Sequence, residues 1–233
     1  MSLASARLYL VAPAQLEAGA LADLVPELAE AGVDLIQLRE KNMEAGDLLR
    51  AGDPVAGACR AAGLPFIVND RPDVALALGA DGVHLGQNDL PPEVARLIIG
   101  TAIVGLSTHT NREVNAVAGS RRPDSGGPQD SAGPGSGEPQ DSTDSNVDYI
   151  AVGPVHTTPT KPGRPAVGVR LLRHAADRVE LPWFAIGGIE AGNVEEVLAA
   201  GARRIVVVRA ITKAADPPGA AAALRAVLNA AQP

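Results

Sequence analysis

Short apolar runs rich in valine, isoleucine and leucine recur along the chain, and several of them are continuous rather than alternating with polar residues. Continuous runs of this kind are typical of parallel strands that are buried on both faces. The pattern predicts strands at Arg7–Ala12, Asp34–Leu38, Pro65–Val68, Gly82–Gly86, Ala102–Leu106, Tyr149–Gly153, Trp183–Gly187 and Arg204–Val208.

Helical patterns lie between these strands, and the clearest predict helices at Leu21–Ala31, Ala45–Ala62, Pro92–Ile99 and Asn193–Ala200. Glycine often stands just before the next strand, where it accepts the left-handed conformation that ends a helix; the positions are Gly32, Gly63, Gly100 and Gly201. Strand and helix units repeated in this way predict an α/β fold, a single (β/α)8 TIM barrel over residues 1–233. An open doubly wound sheet is the alternative.

One segment, Gly119–Asn146, interrupts the repeat. It is rich in glycine, proline, serine and aspartate and has almost no apolar side chains. Such a segment cannot bury enough surface to offset the entropy of ordering it, so we predict a disordered surface insertion before strand six. It follows a helix and precedes a strand, which places it on the rim opposite the catalytic loops of a barrel. We therefore expect no catalytic role for it.

The amino-acid composition and the charge distribution limit the classes of molecule that the protein is expected to bind. The insertion carries −3 of the formal net charge of −7, aromatic residues make up only 2% of the chain, and no basic run is present. These features argue against nucleic acids and anionic membranes as partners. Cys59 is the only cysteine, and the apolar start at Leu8–Ala12 is too short to span a membrane. We expect a cytoplasmic protein, and a homo-oligomer is compatible with the sequence.

Strand two ends in three polar residues that share one face. Period-two alternation places Gln37, Arg39 and Lys41 together, with Glu40 on the other side. Two cations at a barrel mouth are costly unless an anion meets them, and a phosphate or diphosphate would do so through charge-assisted hydrogen bonds. A rim of salt bridges that includes Glu40 is the alternative.

Two carboxylates follow neighbouring strands. Strand three ends in Asn69-Asp70, and strand four continues to Asp89. Mg²⁺ is commonly bound by one or two carboxylates together with substrate phosphate oxygens, so Asp70 and Asp89 predict a Mg²⁺ site. Turn and helix-cap chemistry is the alternative reading of Asp89.

Hydroxyl groups, a lysine and glycines mark the later strand ends. Ser107 lies at the tip of strand five, and a long polar loop with Lys161 follows strand six. Gly187 and Gly188 follow strand seven. Barrels commonly bind a phosphate through the loops after strands seven and eight, where glycine allows the backbone to approach closely. Among the histidines, His84 in strand four is compatible with either a core position or a polar position at the mouth.

Taken in order, these strand ends resemble those of the thiamine-phosphate synthase family. The matching motifs are QLREK (Gln37–Lys41), ND (Asn69-Asp70), HLGQND (His84–Asp89), GLSTHT (Gly105–Thr110), GPVHTTPTK (Gly153–Lys161) and AIGGI (Ala185–Ile189). The resemblance covers nearly the whole chain outside the insertion. It implies a transferase that joins 4-amino-2-methyl-5-hydroxymethylpyrimidine diphosphate to a thiazole phosphate, with Mg²⁺ as cofactor.

The resemblance also implies a role for each matching position. The catalytic set is Arg39, Lys41, Ser107 and Lys161. The pyrimidine diphosphate would be bound by Gln37, Arg39, Lys41, Asn69, Ser107 and Lys161, and Mg²⁺ by Asp70 and Asp89. The thiazole phosphate would be bound by Thr158, Thr160, Gly187, Gly188, Ile211 and Thr212.

Three features depart from the family pattern: His156, where an aromatic residue is common, Arg209 at the end of strand eight, and the insertion itself. Two other functions remain as alternatives. One is a related thiazole tautomerase, an isomerase on the same barrel that needs neither diphosphate nor metal. The other is a non-catalytic protein that binds thiamine phosphates.

Overall fold

Eight parallel strands form a closed barrel in the computed structural model, which describes residues 3–118, 146–158 and 165–231. The strands are β1 (Leu8–Ala12), β2 (Leu35–Leu38), β3 (Phe66–Asn69), β4 (Gly82–Leu85), β5 (Ile103–Thr108), β6 (Tyr149–Val152), β7 (Trp183–Ile186) and β8 (Ile205–Val207). Each strand pairs with the next along the chain, and β8 pairs with β1 through the register Leu8↔Ile205 and Leu10↔Val207. The predicted TIM barrel is confirmed, and the open sheet is wrong because each of these eight strands has a neighbour on both sides.

Helices alternate with the strands. They are α1 (Leu21–Glu30), α2 (Ala45–Ala62), α3 (Pro72–Ala77), α4 (Pro92–Ile99), α5 (Asn111–Ala118), α6 (Gly168–Ala176), α7 (Val194–Ala199), α8 (Arg209–Thr212) and α9 (Pro217–Ala230). The four predicted helices are present to within one residue at each end. The four glycines expected to end helices all have positive φ, from 60° to 97°. A small antiparallel hairpin, Gln15–Leu16 with Gly19–Ala20, precedes α1 and was not predicted.

Side-chain alternation divides the core into two layers. Leu8 and Leu10 of β1 pack in the larger apolar cluster shared with the helices, whereas Tyr9 and Val11 belong to a smaller cluster inside the barrel. This is the period of two expected for a strand whose faces are both buried. Inside the barrel, the rings of Tyr9, Tyr149 and Phe184 meet edge to face, with centroids 5.4–5.9 Å apart.

The predicted insertion joins α5, which ends at Ala118, to β6, which begins at Tyr149. It is therefore attached at the amino-terminal rim of the barrel, as predicted. The prediction of disorder concerns Gly119–Asn146, of which residues 119–145 lie outside the described residues. Among the helices that the structure describes, none has the length and apolarity needed to cross a membrane.

Asp34 ties three elements together at the amino-terminal rim. Its side chain is almost fully buried, and Oδ2 accepts hydrogen bonds from the backbone N–H groups of Arg7 and Leu8 at 2.7 and 2.9 Å. The Arg225 guanidinium of α9 completes the group, with Nη1 2.7 Å from Oδ2. One carboxylate thus joins the start of β1 to α9 and to the residue that precedes β2.

We expect Asp34→Ala to lower the free energy of unfolding by about 3 kcal/mol, because it leaves a half-buried arginine and two backbone N–H groups without their acceptor. Urea denaturation measures the change. Asp177→Ala, at an exposed position after α6, is the matched control and should have little effect. Equal stabilities for the two variants would show that Asp34 does not hold the rim together.

Candidate active site at the barrel mouth

A cavity of about 270 Å³ opens at the carboxyl ends of the strands. The residues that line it come from most of the strands and from the loop after β6. Those predicted from the sequence are Gln37, Arg39, Asn69, Ser107, Thr158, Gly187 and Gly188. The predicted residues of separate strand ends therefore meet around one space. Ser107, placed by the sequence pattern just beyond strand five, lies within β5 because that strand continues to Thr108.

Arg39 brings a buried, unsatisfied donor into this cavity. Its side-chain atom Nη2 is buried and has no hydrogen-bond partner among the described residues. Burial lowers the pKa of the guanidinium, while the carboxylates of Asp70 and Asp89 act in the opposite direction. The alternative partner, Glu40, instead accepts a hydrogen bond from the Ala14 N–H at 2.8 Å. A buried donor of this kind is costly unless an acceptor arrives from outside the protein, and an anion suits it best.

Asp70 and Asp89 both lie within electrostatic reach of Arg39. Asp70 has a φ of 63°, in the left-handed region that aspartate tolerates better than most residues, and its N–H donates to the His84 carbonyl at 2.8 Å. One oxygen of Asp89 accepts from the Gly86 N–H at 2.6 Å, so this side chain does cap a turn. It does not cap α4, whose N-cap is Pro91.

The two carboxylates do not form a complete metal cage. Within the described ranges, no group of three or more His, Cys, Asp or Glu side chains is placed to hold a metal ion. Neither carboxylate lines the cavity, but both act electrostatically on Arg39, which does. Two hard carboxylate groups near a phosphorylated substrate match the kind of seat in which Mg²⁺ takes its remaining ligands from water and the substrate. The donor types therefore fit Mg²⁺.

Two glycines that follow β7 form part of the wall of the cavity. Gly187 and Gly188 have φ values of 106° and 65°. A Cβ at Gly187 would lie 2.5 Å from Pro154 Cα, and one at Gly188 would lie 2.7 Å from His156 Cβ. Hydrogen bonds from the Val155 and His156 N–H groups to the Ile186 and Gly187 carbonyls, at 2.9 and 3.0 Å, hold the two loops together. Only glycine allows this close approach.

Several predicted site residues lie elsewhere. Lys41 is exposed beyond the end of β2 and does not line the cavity. Ile211 and Thr212 are buried in α8, and the preceding residues Arg209 and Ala210 line the cavity instead. Thr160 and Lys161 fall outside the described residues.

The sequence interpretation missed a chain of buried polar side chains below the mouth. Gln37 Nε2 donates to Tyr9 Oη at 2.5 Å, and Tyr9 Oη lies 2.9 Å from Tyr149 Oη. His84 joins the other end, with Nδ1 2.9 Å from Tyr149 Oη and Nε2 2.9 Å from Ser107 Oγ. Both readings of His84 therefore hold, since it is buried and also lines the cavity. The sequence signal that could have revealed this chain was a tyrosine in each of two otherwise aliphatic strands.

The fold and the site together define a TIM-barrel protein with a polar, cation-bearing cavity at the rim where enzymes of this fold carry their active sites. The sequence profile of the thiamine monophosphate synthase family matches residues 8–125 and 136–211. The chain therefore belongs to the thiamine monophosphate synthase family.

Individual relatives agree along nearly the whole chain. A thiamine-phosphate synthase from Acidothermus cellulolyticus is 47% identical over 232 residues, covering 99% of this chain and 98% of its own. One from Thermus thermophilus is 48% identical over 195 residues, covering 83% and 82%. Among solved structures, thiamine phosphate pyrophosphorylase from Pyrococcus furiosus superposes with a TM-score of 0.78 at 30% identity and covers 97% of both chains.

Gly105 of β5 has no side chain, and this leaves room for the Tyr149 ring. A Cβ at Gly105 would lie 2.1 Å from Tyr149 Cζ. We expect Gly105→Ala to displace the ring and to lower the free energy of unfolding by about 1–3 kcal/mol, as overpacking does elsewhere. Thermal and urea unfolding measure this. The control is Gly57→Ala in α2, where a Cβ meets nothing within 4 Å and helix propensity favours alanine. Two equally stable variants would contradict the contact.

Proposed function

We propose that this chain is a thiamine-phosphate synthase, a transferase that joins 4-amino-2-methyl-5-hydroxymethylpyrimidine diphosphate to a thiazole phosphate and releases diphosphate. The observation that carries the proposal is the buried Nη2 of Arg39, which has no hydrogen-bond partner in the part of the chain that the structure describes and lies in a cavity also lined by Gln37, Asn69 and Ser107. Membership of the family, at 47% identity to a protein named for this activity, supports the particular reaction.

The diphosphate group would lie against Arg39. Charge-assisted hydrogen bonds from a guanidinium to phosphate oxygens would supply the missing acceptor and stabilise charge on the leaving group. Lys41 and Lys161, assigned by resemblance, would add two further cations. Mg²⁺, held by Asp70 and Asp89, would neutralise part of the diphosphate charge when bound.

The reaction would be dissociative. The bond from the pyrimidine methylene carbon to the diphosphate oxygen breaks with its electron pair going to oxygen, and the aminopyrimidine ring spreads the positive charge. The thiazole nitrogen then forms the new bond with its lone pair, so no side-chain nucleophile takes part. Cys59 fits this scheme, since it is buried in α2, does not line the cavity, and has a pKa raised by burial to about 12. The protein would contribute orientation and electrostatic stabilisation.

The thiazole phosphate would occupy the wall made by Thr158, Gly187 and Gly188. By resemblance, Thr160, Ile211 and Thr212 would complete this site. The departure at Arg209 adds a cation to the lining of the cavity, which suits a phosphate. His156, the second departure, has Nε2 3.1 Å from Glu196 Oε1 of α7 and does not line the cavity.

The two alternative functions require different groups in the site. The thiazole tautomerase would not need a leaving-group site, so the unpaired Arg39 donor beside Asp70 and Asp89 favours the synthase. A non-catalytic binding protein would retain the site but show no turnover. An assay with both substrates separates the three.

The decisive experiment measures thiamine phosphate formation by the purified chain with both substrates, with Mg²⁺ and with excess chelator. We expect turnover only with the metal. Asp70→Asn should lower kcat/KM by about 10²-fold or more, because it removes the charge while keeping a residue that tolerates a left-handed φ. Asp73→Asn is the control, an exposed carboxylate of α3 that bonds to Arg71. Metal-independent turnover, or full activity of the Asp70 variant, would refute the assigned metal site.

Arg39→Gln tests the cation at the mouth. We expect kcat/KM for the pyrimidine diphosphate to fall by about 10²-fold, as when a charge-stabilising donor is removed from other active sites. Thermal stability should be retained, because Nη2 of the guanidinium has no hydrogen bond to lose within residues 3–118, 146–158 and 165–231. Arg112→Gln, at an exposed position of α5, is the control. A large loss of stability with unchanged kinetics would assign Arg39 a structural role instead.

A further inference from the structure

The buried polar chain below the cavity links two of the proposed substrate-binding residues. It runs from Gln37 through Tyr9, Tyr149 and His84 to Ser107, and each of these residues except Tyr149 lines the cavity. The three side chains between the ends belong to β1, β6 and β4, so no local sequence pattern connects them. A hydrogen-bonded chain of this kind has a direction, and that direction constrains what its ends can offer to a ligand.

The direction follows from the Gln37 amide. Nε2 donates to Tyr9 Oη, so the Tyr9 hydroxyl proton is directed to its other partner, Tyr149 Oη. Tyr149 then accepts from Tyr9, and its own proton goes to His84 Nδ1. A neutral imidazole with Nδ1 as acceptor carries its proton on Nε2, which donates to Ser107 Oγ. The Ser107 hydroxyl proton is left to point toward the cavity.

Packing keeps the chain intact. Desolvation by burial raises the pKa values of Tyr9 and Tyr149 above their usual range, so both phenols remain protonated and able to donate. Gly105 stands directly between His84 and Tyr149 in the strand register. Because it has no side chain, the Tyr149 ring can lie over it and stack on the imidazole, with ring centroids 5.5 Å apart.

We propose that Tyr9, Tyr149 and His84 are positioning residues that couple the hydrogen-bonding polarity of Gln37 to that of Ser107, so that one end of the chain donates to the ligand only when the other end accepts. In the direction traced above, Gln37 Oε1 is left to accept from the ligand and Ser107 is left to donate; the reverse direction would exchange both roles together. This inference rests on the proposed function. It makes the site specific for a heterocycle that presents a donor, such as an exocyclic amino group, to Gln37 and an acceptor to Ser107. A ring with a carbonyl in place of the amino group would need both ends of the chain to donate, which the coupled chain does not allow.

The first test compares a pyrimidine that matches the proposed specificity with one that does not. The 4-amino pyrimidine diphosphate is the substrate, and its 4-oxo counterpart is added as a competing inhibitor. We expect wild type to favour the amino compound strongly. Tyr9→Phe, which breaks the link between Gln37 and Ser107, should reduce that preference about tenfold, the change that one misplaced hydrogen bond typically brings. An unchanged preference in a folded Tyr9→Phe protein would overturn the proposal.

The second test is a double-mutant cycle between Tyr149→Phe and Ser107→Ala. Tyr149→Phe keeps the ring and removes only the hydroxyl, and it should lower kcat/KM about tenfold in wild type. If Tyr149 acts through Ser107, this loss should largely disappear when Ser107 is already replaced by alanine. Equal losses in both backgrounds would indicate a merely structural role and overturn the proposal.

Thr108→Val is the matched control for the cycle. Thr108 is the neighbouring buried hydroxyl of β5, but it donates to the Ala151 carbonyl at 3.3 Å and does not line the cavity. Its effect on kcat/KM should be the same in wild type and in the Ser107→Ala background. Absence of turnover by wild type would refute the proposed function and this inference with it. If wild type shows turnover but the losses caused by Tyr149→Phe and Ser107→Ala are additive, only the inference is refuted.

Discussion

The pairing of β8 with β1 is the interaction on which the rest of the structure depends. It closes the sheet, so every strand of the barrel has two neighbours and all eight carboxyl ends reach one rim. Closure also separates the two faces of each strand, with one facing the helices and the other facing the barrel interior. The polar residues at the strand ends become a site only because this closed sheet brings them around a common space.

The mouth of the barrel contains groups whose arrangement suits a ligand but lowers the stability of the protein. Arg39 has a buried donor that no described residue satisfies, and Asp70 has a left-handed backbone conformation. Features of this kind persist where the surrounding structure holds them in place, and they concentrate at functional sites. Here the surrounding structure is a barrel with a continuous apolar outer layer, so the strain and the unsatisfied donor lie on a rigid support.

The interior of the barrel is more polar than a purely structural core requires. Tyr9, Tyr149 and His84 are buried, yet each makes two hydrogen bonds within one chain of side chains. A fully connected network of this kind satisfies its buried polar groups and also restricts their orientation. The floor of the cavity thus joins the packing of the core to the binding properties proposed for the mouth.

The sequence by itself determined the strands, the four clearest helices and the helix-ending glycines, because these depend on local periodicity and on backbone preferences of single residues. It also predicted seven residues that line the cavity, since strand ends of a parallel barrel face one rim. Only the tertiary structure decided that the sheet closes, that Lys41 is exposed, and that Arg209 rather than Thr212 lines the cavity. The link between Tyr9 and Tyr149 likewise joins residues 140 positions apart. Such contacts depend on strand register and side-chain packing across the barrel, which no local pattern encodes.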